Sequence, residues 1–386
     1  MVSQTSRKIP YVNLGAQYLE ERDELLPIID GALAAGHFVG GEPIAALEEA
    51  LKPVCGSEHV VALNSGTDAL ILGMAALGIG AGDEVITPPN SFVASTGAII
   101  AVGARPVFVD VLDDQNIDPA KIEAAITSRT KAIMPVHLTG RIAEMAPIMD
   151  IARRRNLKII EDAAQAIGSR YRDQPSGAFG DVACFSGHPL KNLSACGDAG
   201  FLTAKDPKVA GAVRLMRNHG LSDRDRASRF GTVSRLDTLQ AVILGFRLTR
   251  LSSIIERRRA NAARYARLLD PEVVFLPAER PYEYNTYHTL VVQVDYRDEL
   301  QAYLQDAGVG TAIHYPVPIH LQPAAVGLGF GKGSFPVCEY QAQRILTLPV
   351  HPWLSEADIA FICATVNAFL RAARGQGRSA RRVQRN

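Results

Sequence analysis

The feature that most constrains this chain is a train of short apolar runs, each bounded by Gly, Pro or Asp and spaced by stretches of helical periodicity. The runs are residues 60–63, 84–87, 106–111, 132–136, 158–161, 182–185 and 201–204. Short, often β-branched and mostly apolar, they read as buried strands. Helical patterns at 118–127 and 145–155 lie between some of them. Strand, helix, strand in series predicts an α/β fold with a mostly parallel, seven-stranded sheet covered by helices. Such sheets gather their chemistry beyond the carboxyl ends of the strands. Two further helices precede the first strand, at 18–35, closing at Gly36, and at 43–51.

From 234 to 268 the pattern becomes long and helical, and the domain junction is placed inside it. A smaller α+β segment follows, with a strand at 289–294, a helix at 299–307, a strand at 310–315 and a helix at 355–372. The expected organisation is a large domain over 1–245, a small C-terminal domain over 246–372 and an unordered basic tail over 373–386.

Composition narrows the function classes. With 386 residues, 47% of them hydrophobic, a sizeable core is available. Lys plus Arg is 41 and Asp plus Glu is 40, a net +1, which gives no reason to expect nucleic acid or a membrane surface as partner. The acid-free, arginine-bearing stretch after Phe369 reads as a solvated terminus. Cys55, Cys184, Cys196, Cys338 and Cys363 show neither a C-x-x-C pair nor zinc spacing, so free thiols in a reducing cytoplasm are expected. The first residues lack a signal core, and no run of 18 charge-free apolar residues occurs. His314 and His320 flank a Pro pair with no acid close by, so no metal site is assigned.

Three segments at strand ends carry chemistry. In Leu63–Leu70, LNSGTDAL, a strand runs through small polar residues into a helix start. Helix-opening N–H groups lack partners and the helix dipole favours an anion there. Gly66 allows close approach and Thr67 adds a hydroxyl, although an ordinary N-cap has the same residues. In KIIEDAAQA, 158–166, the strand delivers Glu161 and Asp162 to its end. A carboxylate such as Asp162 can keep a pyridine ring protonated, with Gln165 one turn on to bond a ring hydroxyl. In DVACFSGHPLKNLSACGDAG, 181–200, a strand leads through Ser186 and His188 to Lys191, set among apolar and small residues. A partly buried lysine has a depressed pKa and is a nucleophile toward an aldehyde. An anion cradle, a ring-nitrogen carboxylate and an aldehyde-binding amine are the three handles of pyridoxal phosphate.

In their order and spacing these segments resemble the sugar-nucleotide aminotransferases of the DegT/DnrJ/EryC1/StrS family, of PLP fold type I, the aspartate aminotransferase-like class. The resemblance extends through GDEVITPPNSFVAST from Gly82, MPVHLTGR from Met134, RNHG from Arg217, SRLDTLQA from Ser234 and HYPVPIHLQP from His314. It implies pyridoxal 5'-phosphate held as a Schiff base on Lys191, with Asp162 at the ring nitrogen and Gln165 at the ring hydroxyl. Gly66, Thr67 and Ser186 match the phosphate binders, Phe92 the ring against the cofactor face, and His188 a histidine beside the lysine. Asn192, His314, Tyr315 and His320 are the substrate-binding candidates. Two departures stand out. Val233 replaces the Asn that in the family reaches the neighbouring subunit's cofactor phosphate, leaving Ser234 or Arg235 to compensate. Gly187 stands where many relatives carry a larger residue.

The implied reaction moves an amino group from glutamate to a nucleotide-linked keto-sugar, within a homodimer that shares its active sites. The HYPVPIHLQP stretch looks more like relatives acting on 3-keto than on 4-keto sugars. The alternatives are a PLP-dependent sugar dehydratase, whose known forms replace the lysine by His, and a non-catalytic PLP-binding regulator. A dinucleotide oxidoreductase fails because GIGAG, from Gly78, precedes its strand instead of following one.

Overall fold

The computed structural model describes residues 8–383, with side chains to residue 375. Nine strands come first: β1 (Val60–Leu63), β2 (Glu84–Thr87), β3 (Arg105–Phe108), β4 (Thr130–Ile133), β5 (Lys158–Asp162), β6 (Arg170–Tyr171), β7 (Gln174–Pro175), β8 (Val182–Ser186) and β9 (Gly200–Ala204). Seven of them form the central sheet in the order β1-β9-β8-β5-β4-β2-β3. Every neighbouring pair is parallel except the two made by β9, which runs against β1 and β8. Strands with both faces covered need apolar residues at every position, because successive side chains point to opposite faces. On β1, Val61 and Leu63 join Leu70 and Met74 of helix α3 (Gly66–Ala76). Val60 and Ala62 face the other way, toward Leu47 and Leu51 of helix α2 (Glu42–Cys55). Burying one such Leu or Ile contributes about 1.5–3 kcal/mol. Helix α1 (Leu14–Ala35) ends where the sequence places its end, with Gly36 at φ 69°.

The C-terminal part has its own core. Strands β10 (Val274–Phe275), β12 (Leu290–Val294) and β13 (Ile345–Leu348) form an antiparallel sheet, while β11 (Glu283–Tyr284) joins β6 and β7 in a small ribbon. Val292, Leu346 and Leu348 pack on Leu300 and Leu304 of helix Arg297–Asp306 and on Ile359, Ile362 and Val366 of the last helix.

Several expectations change. The 234–268 stretch is two helices, Thr238–Leu248 and Leu251–Leu268, bent by 59°. The second serves both cores: Leu251 and Ile255 pack with the large sheet, Ala262 and Tyr265 with the small one. Its apolar face switches layers along one helix, which periodicity does not reveal. The 118–127 helix is a single turn, Pro119–Ile122, followed by a 3-10 turn, Glu123–Ala125. The 310–315 strand is irregular chain with one bridge, Ala312 to Thr347. Ile9 does not belong with the large sheet: it exchanges backbone hydrogen bonds with Gly308 and Gly310 and lies in the C-terminal core. The last helix is Glu356–Val383, continuing past 372 through Gly375 and Gly377; residues 384–386 lie outside the described residues. Among the described residues no single helix is long and apolar enough to cross a membrane.

Candidate active site

The carboxyl ends of β1, β5 and β8 open onto a cavity of about 370 Å³. At the end of β1, Ser65 caps α3, its Oγ accepting from the Asp68 N–H at 3.1 Å. Gly66 opens the helix against β8: a Cβ there would lie 2.9 Å from Ser186 Cβ and 3.2 Å from the Phe185 carbonyl. Behind it, a Cβ on Gly200 would meet the Ser65–Gly66 peptide at 2.2–2.4 Å. Small residues therefore bring the α3 N-terminus, Thr67 and Ser186 together on one wall. That wall supplies helix-opening N–H groups and hydroxyls, the donor set an anion requires.

At the end of β5 the two acids part, as alternation along a strand demands. Glu161 is fully buried away from the cavity. It accepts from the N–H groups of Gly177, Phe179 and Gly180 at 3.0, 2.9 and 2.7 Å and faces His137 Nε2 at 3.0 Å, pinning the loop that leads into β8. Asp162 points into the cavity. Its Oδ2 accepts from Ser95 Oγ at 2.6 Å and its Oδ1 from the Ala164 N–H at 3.2 Å. Gln165 Oε1 accepts from the Thr139 N–H at 2.7 Å, which leaves its NH2 group as a donor. Ser95 was not singled out in the sequence; its only signal is membership of the stretch beginning at Gly82.

Beyond β8 the chain turns at Gly187 and His188 to bring Lys191 to the cavity, its backbone N–H bonded to the His188 carbonyl at 2.8 Å. A Cβ on Gly187 would sit 2.9 Å from Ala199 Cβ, so the small residue there serves contact between β8 and β9. Burial pulls the Lys191 ammonium down from 10.5 to about 8, against an opposing pull from the Asp162 charge. His188 is exposed at the rim, with Nδ1 accepting from the Leu190 N–H at 3.3 Å, which places its ring proton on Nε2.

Phe92, 54% exposed, and Tyr315 form the opposite wall, their ring centres 5.7 Å apart. Burial raises the Tyr315 phenol to about 12. His314 Nδ1 lies 2.9 Å from Thr347 Oγ1, and burial with the nearby Lys191 charge lowers its imidazole to about 4. His288, missed in the sequence, also lines the cavity, and burial and the Lys191 charge hold it well below the usual imidazole range.

Two candidates lie elsewhere. His320 is buried beside Phe335 with Nε2 3.0 Å from Glu339 Oε1, so the small aromatic cluster around Phe108 and Phe335 claims it. Asn192 points its amide at the Thr286 carbonyl, 3.2 Å away, instead of into the cavity. The suggested substitutes for the missing Asn are also engaged: Ser234 is buried with its Oγ donating to Asn64 Oδ1 at 3.1 Å, and Arg235 donates to Asn218 Oδ1 at 3.0 Å.

The site therefore combines a lysine amine of lowered basicity, a fixed carboxylate, an amide donor and an anion cradle in one cavity. Comparison with known proteins agrees with that chemistry. The model of the DegT/DnrJ/EryC1/StrS aminotransferase family matches residues 20–367. The chain is 41% identical over 364 residues to a UDP-N-acetyl-3-dehydro-alpha-D-glucosamine 3-aminotransferase of Acidithiobacillus ferrooxidans, covering 94% of this chain and 98% of the relative. Among solved structures, DesV of Streptomyces venezuelae with a ketimine intermediate superposes with a TM-score of 0.92 at 40% identity, over 94% of this chain and 98% of that one. NtdA of Bacillus subtilis with bound cofactor PMP gives 0.87 at 32% identity, over 95% and 87%. The chain belongs to the DegT/DnrJ/EryC1/StrS aminotransferase family, with the PLP fold type I architecture, and is a transaminase.

Proposed function

We propose that this transaminase uses pyridoxal phosphate on Lys191 to move an amino group from glutamate to the 3-keto carbon of a nucleotide-linked sugar. When bound, that cofactor supplies an aldehyde that captures amines and a protonated ring that takes up the electron pair left by a departing proton. The donor set fits it: Gly66, Thr67 and Ser186 suit a phosphate, Asp162 a ring N–H, Gln165 a ring hydroxyl and Lys191 an aldehyde carbon. The observation that carries the reading is the convergence of Lys191 and Asp162 on one cavity.

Each residue has a task its surroundings prepare. Lys191, with its ammonium near 8, is partly neutral at physiological pH and can take a proton from the substrate carbon and return it. Asp162, oriented by Ser95, presents a fixed carboxylate to a ring N–H. Phe92 covers one ring face. His188 at the rim and His314 and Tyr315 on the far wall are placed to meet the sugar.

The 3-keto preference rests on the HYPVPIHLQP stretch and on the named activity of the Acidithiobacillus relative. We read residues 1–245 as mainly the cofactor-holding part and 246–372 as mainly the smaller one, with Ile9 belonging to the second core and Leu251 and Ile255 to the first. A homodimer suits the exposed Phe38, Val39, Phe92, Leu190 and Val233; a monomer by sedimentation under turnover conditions would contradict it. The test of function is incubation with glutamate and nucleotide-linked 3-keto or 4-keto sugars, with product mass and regiochemistry read out. Amination at carbon 3, abolished in Lys191→Ala, is expected. Undiminished transfer by that variant would end the assignment.

A further inference from the structure

A second, smaller hollow of about 40 Å³ adjoins the cavity and is lined by Tyr11, Leu190, Arg258, His288, His314 and His351 among others. Leu190, His288 and His314 line both spaces, so the hollow opens beside Lys191. Its floor is Arg258, only 7% exposed, on helix Leu251–Leu268. One guanidinium nitrogen donates to the carbonyls of Tyr287 and His288, at 3.2 Å each. The buried Nε has no hydrogen-bond partner, nor has the buried Nδ1 of His288.

Arg258 is an exception among this protein's buried arginines. Arg247 is answered by Glu21 at 2.8 Å, Arg141 by Glu283 and Asp114 at 3.4 and 3.5 Å, and Arg297 by Asp298. Among the described residues no carboxylate answers Arg258; the acidic group that affects it is the phenol of Tyr11, which burial keeps protonated at neutral pH. Burial pulls its guanidinium down to about 10, so it remains charged at neutral pH. An unpaired buried charge is costly and implies an anion that arrives from outside. The guanidinium fork matches a carboxylate. On a measure by which one water needs about 10–15 Å³, a space of about 40 Å³ has room for a carboxylate-sized group and none for a nucleotide.

We infer that Arg258 is the seat of the amino donor's carboxylate, with His288 Nδ1 beside it, holding the donor's nitrogen toward the Lys191 end of the cavity. The inference rests on the donor being a free amino acid, as proposed above.

The test separates the two half-reactions of the holoenzyme. The wild type is first converted with glutamate while the cofactor spectrum is followed; if no amino acid changes that spectrum, the proposed function fails before Arg258 is reached. Arg258→Gln and Arg258→Lys are then compared with it. The expected result is a half-saturating glutamate concentration raised about 10- to 100-fold in Arg258→Gln, the loss of one charge-assisted contact. The amine-loaded enzyme should discharge to the keto-sugar at nearly its original rate. Glutarate, which has the carboxylates and no amine, should compete with glutamate and raise the melting temperature of the wild type but not of the variant. Unchanged glutamate saturation, or a defect confined to the keto-sugar half, overturns the inference. If Arg258→Gln does not fold, the glutarate experiment on the wild type decides: absence of competition and of thermal protection overturns it.

Discussion

Lys191 offers the sharpest quantitative consequence. In the cofactor-free protein its ammonium, pulled down by burial, loses its proton near pH 8 instead of 10.5. At pH 7.5 about a quarter of it is then the free amine, against about one part in a thousand for an ordinary lysine, an advantage of about 200-fold. The advantage is measurable by trace labelling with acetic anhydride across pH 6–10 (a reagent small enough for a cavity of about 370 Å³), with peptide mass spectrometry reading Lys191 against exposed Lys208. The labelling curve for Lys191 should turn over near pH 8. Asp162→Asn should move it lower still, because the Asp162 charge is what favours the ammonium. The substitution is nearly isosteric and keeps one oxygen to accept from Ser95 Oγ, at the expense of the longer contact from the Ala164 N–H. A midpoint near 10.5, or an upward shift in Asp162→Asn, would refute the argument that burial activates this amine.

Other consequences follow from single contacts. Gly66→Ala puts a methyl 2.9 Å from Ser186 Cβ and should cost about 1–3 kcal/mol in denaturant unfolding, together with weaker cofactor binding by fluorescence titration; unchanged cofactor affinity would count against the cradle. Glu161→Ala strands three buried N–H groups and should cost about 3–5 kcal/mol of stability; a loss under about 1 kcal/mol would refute its pinning role. His314 takes its proton near 4 in the folded protein and near 6.5 when unfolded. The unfolded chain thus binds more protons between those values, and the contribution of His314 to stability should decline as pH falls from 6.5 to 4. NMR titration of His314 should show no midpoint near 6.5; one there would contradict its burial.

Much of the fold is legible in the sequence because its strands are short apolar blocks with sharp stops. Strands β1 and β2 fall on the residues their composition marks, as does helix Met145–Arg155. Legibility fails where structure depends on distant partners. Residues 310–315 alternate like a strand but form only one bridge, so local pattern found no ladder to join. The site divides in the same way. Lys191, Asp162, Gln165, Gly66 and Ser186 announce themselves through the strand ends that carry them, and they meet in one cavity. His320 does not join them, because Glu339, 19 residues on, captures its ring. Ser95, His288 and Arg258 each acquire their place from residues far along the chain: Ser95 from Asp162, His288 from the meeting of two domains' worth of chain, and Arg258 from the missing carboxylate that no local pattern shows.

One measurement reaches the central claim most directly. The purified protein is incubated with pyridoxal phosphate, treated with borohydride, digested and mapped by mass spectrometry. The account predicts one permanently attached cofactor per chain, on the peptide containing Lys191, preceded by a visible absorbance band that reduction removes. Attachment scattered over surface lysines, or attachment at Lys191 that persists without any visible band, would contradict it.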